Sequence, residues 1–348
     1  MRLGKLPPAL LASLLASLPQ DDPRVVVGPG VGADAAVIDV LGEAGDGRLL
    51  VAKSDPITFA TDRIGWYTVH VNANDLACLG ATPRWLLATA LLPERWEEAD
   101  VRGLFDDLGA TCASLNITLV GGHTEITAGL DRPIVSACLL GEVIRERLVR
   151  PGGAQPGDTI LLAGGVAIEG CAVLAREAGD ALAARGVSAA IRQQASAFLT
   201  EPGISVVKAA DLALDAAGQQ VHALHDPTEG GLLTGLAELA AAAGAGLEAQ
   251  EEALVEAVLP ECQAVCESLE LDPLGLLASG ALLAAVTPTH ADQVAGSWHA
   301  AGLPVFRLGL ITSAAEGLQL RSRDRESRPL PVIDRDEIAR YFEEVAEA

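Results

Sequence analysis

Acidic and amide side chains stand beside glycines or at the ends of apolar runs through the first half of the chain. Asp34 leaves the glycine-rich loop within VVVGPGVGADAAVIDV, Asp55 closes the run RLLVAKSD just before Pro56, and Asn72 and Asp75 lie in VHVNANDLACLG. On a helix, Asn72 and Asp75 are three apart and share a face, while Val69, Leu76 and Leu79 largely face elsewhere. In GGHTEIT, Gly121 and Gly122 let the backbone approach a ligand, and Thr124 and Glu125 offer oxygens. An oxygen-only, acid-rich set suits Mg2+, a hard cation that commonly bridges to substrate phosphates. Singly, each residue has an ordinary use: Asp34 and Asp55 cap turns, Asn72 satisfies a backbone group, and His123 is a hydrogen-bonded loop residue. The chemistry requires that they converge.

The second half carries HDPTEGGLLTGLAELA. Asp226 and Thr228 precede a helix, Glu229 falls in its first turn, and Gly230 and Gly231 open the backbone, so free N–H groups and the helix dipole could receive a phosphate. The same spacing equally describes an ordinary helix cap. LLAGGVAIEG, with Gly164 and Gly165, is a similar but weaker strand-to-helix turn.

The spacing of Gly28, Gly30 and Ala33, with Asp55 beyond, also suggests a dinucleotide loop. That fingerprint needs a helix beginning at the loop and an acid ending the strand after it. AAVIDV is too short and β-branched for the helix, a Gly-rich turn over Glu43–Gly47 follows at once, and Pro29 removes a backbone donor. The segment therefore reads as a hairpin with carboxylates at its strand ends.

These residues need elements to hold them. Strands are expected at Ala35–Val40, Arg48–Ser54, Trp85–Leu92, Ile117–Val120 and Ile134–Val143, with helices at Ile64–Leu79, stopped by Gly80, and at Trp96–Leu115. The second helix places Val101, Leu104, Phe105, Leu108, Cys112 and Leu115 on one stripe. RPGGAQPG concentrates Pro and Gly where periodicity lapses, which puts a domain boundary at residues 150 and 151. Beyond it, strands are expected at Asp158–Ala163, Val221–His225, Gly280–Val286 and Val305–Ile311, with helices at Ile168–Ala178 and from Leu232. The fold class is α+β, arranged as residues 1–23, an amphipathic helix or tail with Leu11, Leu14, Leu15 and Leu18 docking on the body; domains at 24–150 and 151–312; and a charged extension with a helix at 313–348.

Composition narrows the function classes. With 47 acids against 24 Lys plus Arg, the 348-residue chain has a formal net charge of −23, which repels nucleic acid and anionic membranes. RSRDRESR, Arg321–Arg328, alternates arginines with acids and reads as a solvated stretch. Six scattered cysteines read as reduced core residues; Cys262 and Cys266, one turn apart, would need two further ligands to bind a metal. A cytoplasmic location is expected, because the N-terminal apolar stretch reads as a helix and no other run is long enough to span a membrane.

In their order, GADAAVI, KSDPITF, VHVNANDLACLGATPRW, GGHTEIT, LDRPIVSACLLGEV and DPTEGG resemble the aminoimidazole ribonucleotide (AIR) synthetase superfamily, which also holds selenophosphate synthetase, thiamine-monophosphate kinase and the hydrogenase-maturation protein HypE. The resemblance runs from about residue 24 to residue 312 and is nearest to the HypE and AIR synthase-related branch. It implies a two-domain PurM-like fold, with a mixed N-terminal sheet that dimerises and a C-terminal α/β sandwich, and an enzyme using ATP and Mg2+. Carried over by motif, Asp34, Asp55, Asp75 and Glu125 would hold the metal, and Gly32, Asn72, Gly121, Gly122, Thr124 and Thr228 the nucleotide. Asp55 and Asp226 would serve catalysis. The implied reaction activates an oxygen of a small-molecule or protein-borne substrate by phosphoryl transfer or dehydration, with a homodimer and no nucleic-acid or membrane partner. Thiamine-monophosphate kinase-like activity and a non-catalytic nucleotide-binding assembly or regulatory role are the alternatives. HypE-type proteins end in a carrier cysteine, whereas this sequence ends YFEEVAEA and its last cysteine is Cys266; selenophosphate synthetases have a reactive residue in an N-terminal loop, where no cysteine precedes Cys78. Several relatives have an Asp at the place of His123, so the metal set is expected to use Glu125 instead or to have one ligand fewer.

Overall fold

Mostly long strands in the first half of the chain pair into one sheet, and shorter, more apolar strands in the second half build another. The computed structural model describes residues 8–18, 22–30, 34–42, 45–58, 62–324 and 326–347. The chain divides into two compact units, one of Ala12–Leu148 and one that includes Val149 onward. Helix α1 (Pro8–Leu15) starts at proline, whose fixed φ and missing N–H suit the first helical position. The leucines expected to dock it are largely open to solvent, since Leu14 and Leu18 are exposed.

The first unit holds strands β1 (Val25–Val27), β2 (Ala36–Ile38), β3 (Arg48–Ile57), β4 (Thr82–Leu92), β5 (Thr118–Ile126) and β6 (Ile134–Ile144), with helices α2 (Ile64–Cys78) and α3 (Glu98–Ser114). Their order in the sheet is β1-β2-β3-β6-β4-β5. β3 and β6 run antiparallel without interruption from the Arg48–Ile144 pair to the Ile57–Val135 pair. β4 and β5 are parallel, and α3 supplies the crossover that parallel strands require. Val135, Ala137, Leu139 and Val143 alternate into the core along β6, and the Leu76 side chain of α2 reaches the bare backbone of Gly141 on the same strand.

α2 stops where the sequence suggests. Gly80 has φ +76, its N–H donates to the Ala77 carbonyl, and that of Ala81 donates to Leu76, which closes the helix end. On α3 the buried stripe is narrower than expected: Leu104, Leu108 and Cys112 are inside, and Phe105 points to solvent.

The stretch read as a loop after Val120 is instead the continuation of β5. Gly122 makes this possible. Its φ is +146, and a Cβ there would lie 1.8 Å from the Ala88 carbonyl oxygen, so only glycine lets the two strands approach beside the register shift at Leu86 and Leu87.

In the second unit the strands are β7 (Thr159–Ala163), β8 (Val221–His225), β9 (Gly246–Gln250), β10 (Leu282–Val286), β11 (Val305–Thr312), β12 (Leu318–Arg321) and β13 (Ser327–Pro329), in the order β13-β12-β9-β11-β7-β10-β8. The helices are α4 (Ile168–Glu177), α5 (Gly179–Ala184), α6 (Ala189–Ala197), α7 (Val207–Ala217), α8 (Gly231–Ala242), α9 (Glu251–Glu256), α10 (Pro260–Leu269), α11 (Ala291–Ala300) and α12 (Glu337–Glu347). β7 and β10 are buried at every position, as strands covered on both faces must be.

The charged stretch at Arg321–Arg328 is partly structural rather than merely solvated. Arg321 on β12 meets Glu248 of β9 at 3.0 Å, and Arg328 on the edge strand β13 meets Glu251 at 2.8 Å, so the arginines add ion pairs to two strands that the motifs and periodicity do not mark. All six cysteines are free, five of them buried. Among the described residues no helix is long and apolar enough to cross a membrane.

Candidate functional site

β3 carries Lys53 and Asp55 two residues apart, hence on one face of the strand. α2 brings Asp75 to them: the Lys53 Nζ lies 2.9 Å from the Asp75 carboxylate and 3.4 Å from that of Asp55. Burial alone would depress the Lys53 ammonium, but the carboxylates of Asp75, Asp55 and Asp34 reverse this and hold it above its ordinary value. Three of the four proposed metal carboxylates therefore act on one cation. Lys53 itself was passed over; its position two residues before Asp55 on a strand was the signal that could have found it.

Asn72 fixes this arrangement. Its Oδ1 accepts the backbone N–H of Asp55 at 3.0 Å, and its Nδ2 donates to the Thr68 carbonyl at 2.9 Å and, more weakly, to that of Asp55 at 3.4 Å. One buried amide thereby ties β3 to α2 and sets where the Asp55 side chain emerges. β3 runs on through Pro56 to Ile57, so Asp55 lies within the strand rather than at its end. Gly32 lies outside the described residues.

Glu125 is not part of the Lys53 cluster within this unit. β6 and β4 intervene between β3 and β5, a separation of three strand spacings, roughly 14 Å. The cause is the strand structure of GGHTEIT, which fixes Gly121, Gly122, His123, Thr124 and Glu125 on the sheet edge, all exposed. There His123 Nε2 and Glu125 share a 3.0 Å contact and Thr127 Oγ1 donates to Glu125 at 3.0 Å; the hydrogen bond with His123, then that from Thr127, holds the Glu125 carboxyl below its ordinary value.

In the second unit, buried Asp226 follows β8 and opens the loop that leads into α8. Thr228 Oγ1 donates to Glu229 at 2.8 Å, and the Thr228 carbonyl accepts the N–H groups of Gly231 and Ala278. α8 begins at Gly231, so Glu229 precedes the helix instead of lying in its first turn. The Gly230 N–H, expected to be open to a phosphate, donates to the Asp336 carboxylate at 2.6 Å.

Two buried acids near this loop have no counterpart in the sequence reading. Burial pushes the Glu169 carboxyl up to about 7, against hydrogen bonds from Ser279 and with the charges of Glu229 and Asp336 adding to the rise. Burial likewise raises Asp336 to about 6, opposed by the backbone N–H groups of Gly230, Ile338 and Leu277. A lone acid in the apolar run GVAIEGCAVLA was the available sign of Glu169; nothing local marks Asp336.

Comparison with known proteins agrees with this two-unit organisation. Residues 32–143 match the AIR synthase related protein N-terminal domain and residues 155–320 its C-terminal domain. Carbamoyl dehydratase HypE of Cupriavidus necator is 30% identical over 276 residues, covering 77% of this chain and 73% of the relative. The HypE of Rhizobium leguminosarum bv. viciae is 28% identical over 256 residues, covering 70% of this chain and 66% of the relative, about two thirds of its length. Among solved structures, hydrogenase maturation protein HypE in complex with ATP superposes with a TM-score of 0.69 at 23% identity, covering 91% of this chain and 92% of the other. AaThiL complexed with AMPPCP and TMP gives 0.68 at 19% identity, covering 90% and 91%. At these identities the superpositions speak for the two-domain fold. The domain matches and the relatives together place the chain in the AIR synthase related family, within its HypE-like branch.

Proposed function

We propose that the chain is an ATP- and Mg2+-dependent enzyme that activates an oxygen of its substrate by phosphoryl transfer or dehydration. The observation that carries this reading is the gathering of Asp34, Asp55 and Asp75 about Lys53 in the first unit. Family membership supports it, as do relatives named carbamoyl dehydratase and the ATP and AMPPCP bound in two structures of the same fold.

The donor chemistry suits Mg2+, since the groups are hard carboxylate oxygens and Asp55 is partly exposed. Mg2+ bound there would neutralise polyphosphate charge, with Asp34, Asp55 and Asp75 as its carboxylates. The residues of the chain do the remaining work. Lys53 places its ammonium 3.4 Å from the Asp55 carboxylate and 2.9 Å from that of Asp75, where it offsets their mutual repulsion. Asn72 holds the backbone of Asp55 and so orients its side chain. Asp226 is the candidate catalytic carboxylate of the second unit, and Thr228 its candidate nucleotide contact.

The same reading includes a homodimer formed through the first unit. β5 is a nine-residue edge strand with every residue exposed, and Leu119, Val120 and Ile126 contribute apolar side chains to it. An open edge of this kind invites pairing with another strand, and a second copy supplies one by symmetry.

Purified protein incubated with ATP and Mg2+ alongside carbamoyl and phosphate-bearing candidate substrates tests the reading. Substrate-dependent formation of ADP or AMP is expected. Tight nucleotide binding without product across the series would favour a non-catalytic nucleotide-binding role.

A further inference from the structure

The N terminus of α8 already carries an anion supplied by the chain. Asp336 stands immediately before α12, and its carboxylate uses both oxygens: Oδ2 accepts from the Gly230 N–H at 2.6 Å, and Oδ1 from the Ile338 N–H at 2.8 Å. The Asp336 carbonyl also accepts the Arg340 N–H, the first bond of α12, so Asp336 is the cap of that helix. One carboxylate thus caps two helices whose starts lie 106 residues apart in the hydrogen-bonded pair. Each helix N terminus favours the negative charge.

The surroundings make this link hard to replace. Leu277 donates a third backbone N–H to Asp336, while Glu169 and Glu229 face it with negative charge. Gly231 is locked as well: at φ +65, a Cβ would lie 2.5 Å from the Leu274 carbonyl oxygen. Ala278 N–H binds the Thr228 carbonyl, so the stretch 274–279 closes over the loop from the other side. Further along the same segment, Glu337 accepts the Asp272 N–H and Arg340 donates to the Glu270 carbonyl, which fastens α12 to the end of α10.

We propose that Asp336 is a positioning residue for the ATP-dependent reaction: its carboxylate, shared between α8 and α12, fixes the loop that presents Asp226 and Thr228 and fills the anion site that the start of α8 would otherwise offer. A phosphate group is then received by other donors, and the segment from Leu330 to Glu347 is a working part of the second unit. This inference rests on the proposed ATP-dependent function.

Asp336→Asn provides the test, since an amide accepts from one of the two N–H groups and presents a donor to the other. Hydrogen exchange on the full-length protein should show Gly230 and Gly231 losing protection by about tenfold, and ATP turnover should fall by about tenfold in kcat with KM changed less than twofold, as a misplaced reactive group produces. Unchanged exchange at Gly230, or faster exchange with unchanged kcat, would overturn the positioning role. Should Asp336→Asn fail to fold, Asp336→Glu keeps the charge but moves it by one methylene and is read in the same way. A wild-type protein that turns over no ATP would instead refute the functional reading, and the positioning role with it.

Discussion

At the scale of single residues, the account depends on Lys53 holding carboxylates together that would otherwise repel. Asp75 is almost completely buried, and its carboxylate lies 2.9 Å from the Lys53 ammonium. Replacing only one partner of such a pair strands a charge inside the protein, typically at a cost of about 3–5 kcal/mol. Lys53→Met should therefore lower the melting temperature sharply, and adding Asp75→Asn should recover much of the loss. A double-mutant cycle by thermal denaturation reads the coupling directly. Additive losses would show that the pair is not a working unit.

Elements explain which parts of this could be read in advance. The Asn72 and Asp75 pair was legible because a helix of known period carries both, and Gly80 marked its end. The motifs suggested that Asp34, Asp55 and Asp75 meet at a metal ion; the cation they act on in the structure is the Lys53 ammonium, which spacing alone did not show. Glu125 stands apart from Lys53 within the first unit because the glycine-rich GGHTEIT, which looks like a loop, is a strand in which Gly122 lets β5 bulge against the Ala88 carbonyl. That edge makes its own prediction: wild type should be the proposed homodimer in light scattering at micromolar concentration and Val120→Arg a monomer, with the circular dichroism spectrum unchanged. A dimer that survives this charge on β5 would remove the strand from the interface.

The same scale holds the acids around α8. Glu169 is raised to about 7 and Asp336 to about 6, so the folded protein binds these protons more tightly than the unfolded chain does. Their stabilising contribution is complete below the ordinary carboxylate range, near pH 4, and is lost as pH rises through about 6 to 7. Glu169→Gln keeps an acceptor for Ser279 and has no charge to bury. The variant should lose less stability than wild type between pH 5 and pH 8, by about 2 kcal/mol in denaturant titrations. Parallel curves for the two proteins would rule out Glu169 as a source of the pH dependence. Neither acid announced itself as a group near the DPTEGG loop, because that proximity comes from tertiary packing of segments distant in sequence, 106 residues apart for Gly230 and Asp336.

Over the whole molecule, a formal charge of −23 sets the terms on which a triphosphate can approach. The repulsion is long-ranged and screened by salt, so a counter-ion must accompany the nucleotide or be built in locally. Lys53 supplies a fixed positive charge among the carboxylates; Mg2+ is proposed to supply the rest. The two-unit organisation was visible in the Pro- and Gly-rich stretch near residue 150. Within the charged extension a helix was expected and α12 stands there, but β12 and β13 were not legible, since they are too short and too charged to show a strand period and owe their place to pairing with β9 and to ion pairs with β9 and α9.

The most direct test of the central claim is the Mg2+ dependence of ATP turnover in wild type and Asp55→Asn. The account predicts that the variant folds normally and turns over Mg2+-ATP about 100-fold more slowly, the size of effect seen when a charge-stabilising group is removed. Equal turnover in the two proteins across the Mg2+ titration would contradict it.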